Sequence, residues 1–109
     1  MTHEDDKTSS DFPELGFYYH YKRDPNGAIN NYAYEVIGFA RHTEDKSFFV
    51  LYKPLYETNW SKPATFQARP LGMFMESVMK EGKSKQRFTK ITDPEVIATL
   101  TAIRDTMYA

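Results

Sequence analysis

The sequence predicts a small, mainly β domain: a strongly bent antiparallel sheet of about five strands, with a C-terminal helix packed outside it. Three observations carry this. Tyr and Phe number 8 each in 109 residues, and aromatic and β-branched residues favour strands. Short apolar runs are separated by turn chemistry such as Asp24-Pro25-Asn26-Gly27. At the end of the chain the apolar spacing switches to a helical period.

The elements follow in order. Residues 1–11 are polar and acidic, without apolar periodicity, and read as a disordered tail. Residues 12–92 hold the β domain. Gly16 to Lys22 is a first strand, dense in aromatics. Tyr32 to His42 is the clearest strand, and Gly38 within it marks a bulge or a close backbone approach. Thr43 to Lys46 is a polar turn, and Ser47 to Tyr56 is a third strand, hairpinned to the second. Glu57 to Thr65 is a loop carrying Trp60 and Pro63, and Phe66 to Pro70 is a short fourth strand. Leu71, Phe74, Met75 and Val78 are spaced as on a helix running to Met79, which Gly82 stops. Arg87 to Ile91 is the last strand.

Residues 93–109 form a helix. Asp93 suits its cap, Pro94 its first position and Glu95 its first turn. Val96, Leu100, Ile103 and Met107 share one face. That stripe needs cover, from the β domain or from a second copy.

Composition narrows the function classes. The formal net charge is −1, which gives no global argument for nucleic acid or an anionic membrane. The charge is uneven: residues 1–15 carry −4 and the remainder about +3. Cysteine is absent, which removes disulfides, thiolate catalysis and thiolate metal sites. There is no signal-peptide pattern, and no apolar run approaches the roughly 20 residues of a membrane helix. The expected location is cytoplasmic. No nucleophile motif, phosphate-binding glycine loop or dinucleotide fingerprint occurs, so the sequence implies no cofactor and no metal.

A family resemblance rests on several blocks. Tyr19-His20-Tyr21-Lys22, then Tyr34-Glu35-Val36-Ile37-Gly38-Phe39-Ala40-Arg41-His42-Thr43-Glu44, resembles the opening of a small bacterial domain of unknown function, the one numbered 1653. Val50-Leu51-Tyr52-Lys53-Pro54-Leu55-Tyr56 and Arg69-Pro70-Leu71-Gly72-Met73-Phe74 resemble its later blocks, and Gly82 with Arg87-Phe88 its close. The similarity spans residues 17–91. The resemblance implies a compact barrel of the Src-homology-3 type and no activity. Three departures stand out: a lengthened turn at Asp24 to Asn31, Gln67 where an aromatic is expected, and the helix beyond Asp93.

The candidate sites are the polar residues of these blocks. Arg69, Arg41, Tyr21 and Tyr52, with His20 and His42, are the candidate ligand-binding set. A guanidinium on a rigid backbone suits an anion or a carbonyl-rich chain, and tyrosines add flat apolar area with a hydroxyl each. The bland alternatives are an Arg69 brace between loops and a local hydrogen bond for His42. Lys80 to Lys90 carries a local +4 with Phe88, which suits a nucleic-acid contact or a solvated loop.

The first reading is therefore a non-catalytic binding module for a peptide, nucleic acid or small anion. A second is a small nucleotide-handling or hydrolytic enzyme using His20, His42 and Glu35, which requires the three to converge. A third is an accessory protein that forms a homodimer through its C-terminal helix.

Overall fold

The computed structural model describes residues 12–59 and 66–109; the acidic tail and the stretch holding Trp60 and Pro63 lie outside them. β1 (Gly16–His20), β2 (Ala33–Arg41), β3 (Phe48–Pro54), β4 (Gln67–Pro70) and β7 (Phe88–Lys90) form one antiparallel sheet in the order β4-β3-β2-β1-β7. A short helix α1 (Leu71–Met75) follows β4 directly. The hairpin of β5 (Ser77–Lys80) and β6 (Lys83–Gln86) stands apart from the main sheet, and α2 (Pro94–Met107) closes the chain.

Gly38 does mark a bulge: the β2–β3 register shifts between Val36 and Gly38. A Cβ there would meet nothing within 4 Å, so a close backbone approach is not its reason. The extra residue turns Phe39 onto the face that holds Val50, its partner across the pair.

The helix expected over 71–79 is shorter. Leu71 and Phe74 are buried by α1, but Glu76 is extended, and Ser77 to Lys80 pair with Lys83 to Gln86. Glu81 and Gly82 both have positive φ, at 54° and 77°, the requirement of a two-residue type I′ hairpin. Gly82 thus turns a hairpin rather than ending a helix.

Each face of the sheet carries its own apolar cluster. One holds Tyr18, Tyr34, Val36, Val50, Tyr52, Leu71, Phe74 and Phe88. The other holds Phe17, Ala33, Leu55, Ile91 and Leu100, with Val96, Ile97 and Ile103 packed against it. α2 therefore covers the second face: Leu100 is buried, and Val96, Ile97 and Ile103 are partly buried against the same chain. The Asp93 carboxylate accepts from the Glu95 N–H at 2.9 Å. Arg104 in the last turn donates to Glu35 at 2.8 Å, tying the helix to β2.

The sheet curls strongly without closing. β3 and β7 are three strand spacings apart, roughly 14 Å in a flat sheet, yet the Tyr52 and Phe88 rings are 5.5 Å apart. Among the described residues β4 and β7 do not pair, so the closed barrel implied by the resemblance is an open, bent sheet. α1 fills the gap: Phe74 stacks on Phe88, with centroids 4.2 Å apart and planes at 6°.

Candidate ligand-binding face

The concave face is built around Tyr34. Its ring lies 5.3 Å from Tyr52, 5.6 Å from Tyr56 and 5.8 Å from Phe88. The Tyr34 and Tyr56 hydroxyls hydrogen bond to each other, which leaves two phenols satisfied where burial would otherwise penalise them. Burial pushes both hydroxyls above the ordinary tyrosine pKa, so both are neutral donors and acceptors.

His20 sits at the rim of this cluster. It is the cross-strand partner of Phe88 in the β1–β7 pair, and the two rings meet edge to face at 5.0 Å. Tyr32 stacks on it at 5.6 Å and Tyr21 lies at 4.6 Å. Tyr32 is held at φ 53°, a conformation that costs a non-glycine residue of order 1 kcal/mol and that clusters at functional sites. Its carbonyl accepts the His20 N–H at 3.0 Å, which fixes the pair.

The charges that act most on His20 are positive. Burial, and then Arg69, Arg87, Lys22 and Lys80, depress its pKa to about 4, so the ring is neutral at pH 7. Its Nδ1 accepts the Lys22 backbone N–H at 3.2 Å. The proton of the neutral ring is therefore on Nε2, a donor.

Arg69 projects from β4 opposite Val50, and so shares the concave face. Its Nε donates to the Tyr52 hydroxyl at 3.1 Å, and its guanidinium lies 5.5 Å from the Phe88 ring centre. It is half-buried, and this is its only side-chain hydrogen bond among the described residues. No carboxylate pairs with it among them. Gln67 stands opposite Tyr52 on the same face; an amide takes the place of the expected aromatic and adds polarity beside Arg69.

Of the residues singled out in the sequence, Arg69, Tyr52, Tyr21 and His20 come together here. Arg41 does not. Its cross-strand partner is Phe48, whereas Arg69 is opposite Val50; it is exposed at the end of β2. His42 is also elsewhere: its Nδ1 accepts from the Glu44 N–H at 3.2 Å, a cap on the 43–46 turn. Glu35 turns to the other face, toward Arg104 and Lys53. His20, His42 and Glu35 thus do not converge, because the pleat sends Tyr34 and Glu35 to opposite faces and His42 lies past the far end of β2. No cluster of three His, Asp or Glu able to hold a metal ion exists among the described residues. Arg87 is a brace, bonded to Glu76 at 3.0 Å and to the Met73 carbonyl at 3.1 Å.

The aromatic and arginine blocks that build this face fall within a single family match. The sequence profile of a protein family of unknown function, DUF1653, matches residues 16–90. The chain belongs to the DUF1653 family. A crystal structure of a DUF1653 protein from Bordetella bronchiseptica is similar, with a TM-score of 0.59 and 27% identity over 79% of this chain and 99% of that one. No curated protein matches the sequence. The matched region contains every residue of the concave face and ends before α2. No described helix is long and apolar enough to cross a membrane.

Proposed function

We propose that this DUF1653 domain is a non-catalytic binding module whose concave face takes a flat ring carrying an acceptor or anionic group. The observation that supports it most is Arg69, half-buried between the Tyr52 hydroxyl and the Phe88 ring with its terminal amino groups unpaired among the described residues. Beside it His20 offers a neutral Nε2–H, and Tyr32 and Tyr56 offer ring faces at the rim. Stacking of a flat ligand on such rings is worth about 1–3 kcal/mol, and a guanidinium adds two directed bonds.

Aromatic clusters also recognise quaternary ammonium groups. The charges here argue against that. A ligand cation would meet the same four positive side chains that oppose protonation of His20. The face is built for the opposite sign.

An NMR titration tests this reading. Benzoate and uridine should shift the ring signals of His20 and Tyr32, and tetramethylammonium should not. Shifts by tetramethylammonium alone, or by none of the three, would overturn it. Arg69→Ala should weaken benzoate binding at least tenfold.

A further inference from the structure

Behind the rim, His20 and Tyr21 also line a second concavity of about 560 Å³, on the side of the β5–β6 hairpin. Its volume is that of a small-molecule site. Its walls are Arg23 on one side and Lys80 and Lys85 on the other, with Tyr19 and Thr89 between them.

Arg23 is the informative residue. Its guanidinium carbon is stacked 3.9 Å over the Tyr19 ring, so the group is held in place rather than free in solvent. Its Nε is buried and has no hydrogen-bond partner among the described residues. A buried N–H without a partner costs free energy unless something supplies an acceptor. The adjacent carboxylate does not serve: Asp24 accepts the Asn26 N–H at 2.9 Å inside the turn. Asn31 clamps the same turn by accepting from the Asp24 N–H at 2.9 Å and donating to its carbonyl at 3.0 Å. The lengthened turn is thus a rigid mount that presents Arg23.

The opposite wall is also set. Lys80 Nζ donates to the Tyr21 carbonyl at 2.8 Å, which uses one of its three donors and holds the ammonium at the groove. Lys85 stands opposite Val78 on the hairpin. Glu81, at the hairpin tip, is the acidic residue of the lining. Three cations against one carboxylate, with a threonine hydroxyl between them, suit a phosphate group.

We infer that this groove binds a phosphate, so that the groove and the ring face form one site for a nucleotide unit: base on the rings, phosphate between Arg23 and Lys85. The base half rests on the function proposed above; the phosphate half does not. The unit has two sources, a free nucleotide or a single strand, which share this chemistry.

Calorimetric titrations of the full chain with uridine, uridine 5′-monophosphate, pyrophosphate and an eight-nucleotide oligouridylate separate these claims. The monophosphate should bind at least tenfold tighter than uridine. Arg23→Gln with Lys85→Gln should remove that advantage while uridine binds within twofold of its wild-type affinity. Glu81→Asn, which keeps the hairpin turn and removes the acidic group, should strengthen monophosphate binding. A strand as the source adds at least a further tenfold for the oligomer, with affinity falling steeply as salt rises; a free nucleotide as the source leaves the oligomer no tighter than the monophosphate. Either result supports the groove. A monophosphate no tighter than uridine overturns it and leaves the ring face standing. Pyrophosphate binding that Arg23→Gln abolishes, with no uridine binding, supports the groove and overturns the ring face. Failure of all four probes overturns both.

Discussion

The Arg69 guanidinium lies 5.5 Å from the centre of the Phe88 ring, although the two residues stand on opposite edge strands of the sheet. In a flat sheet those strands would be roughly 19 Å apart. The contact exists because the sheet curls and α1 fits Phe74 between its ends. Curvature, not sequence proximity, assembles the concave face: Arg69 comes from β4, Tyr52 from β3, Tyr34 from β2, His20 from β1 and Phe88 from β7.

Arg69 distinguishes a brace from a ligand group. Arg69→Lys removes the Nε bond to Tyr52 but leaves a positive charge. On the ligand account, chemical denaturation should show a loss below about 1 kcal/mol, as for one partly exposed hydrogen bond, while benzoate affinity falls severalfold or more. A loss of several kcal/mol with unchanged binding would make Arg69 a brace.

Phe88 is the shared wall of the rings. It touches His20, Tyr34, Tyr52 and Phe74. Phe88→Ala should cost about 3–5 kcal/mol in denaturant unfolding, the usual range for emptying an aromatic core site. A cost under about 1 kcal/mol would mean that the sheet ends are held together by other contacts.

Leu100 has no exposed surface and seats α2 on Phe17, Ala33, Leu55 and Ile91. Leu100→Asp places an unpaired carboxylate there, and a loss above about 4 kcal/mol is expected. An equally stable variant would show that the helix does not dock on the sheet. Leu100, Val96 and Ile103 already pack against their own chain; equilibrium sedimentation of the wild type should give the mass of one chain.

His20 gives the domain an acid-sensitive step. Its folded-state pKa, about 4, is below the ordinary 6.5. Between those values the unfolded chain binds the proton more readily, so stability falls as pH drops from about 6.5 to about 4 and then levels for this group. His20→Phe should flatten the decline of Tm over that window. A His20 ring that titrates near 6.5 in the folded protein would contradict the buried, cation-surrounded setting.

Strands with strong alternation or flanking turn residues were legible. β1, β2, β3 and β4 lie where aromatic runs and turn chemistry place them, and α2 where its cap and stripe place it. β6 was not legible because Lys83 to Gln86 is exposed throughout and carries no apolar alternation. The α1 boundary failed for a related reason: Val78 fits a helical period and a strand equally well. Of the proposed face, residue type singles out Arg69, Tyr52, Tyr21 and His20 but not Tyr32, since nothing in its type announces a left-handed backbone. Residue type alone groups Arg41 with Arg69, and only the register separates them.

On the function proposed above, a flat, acceptor-bearing ring binds against His20 and Tyr32 beside Arg69, and intermolecular nuclear Overhauser effects read that contact itself. With benzoate at saturation, its ring protons should show contacts to the ring protons of His20 and Tyr32, and these should vanish in Arg69→Ala. Contacts only to other residues, such as Ile103 and Met107 on α2, or none at saturation, would contradict the account.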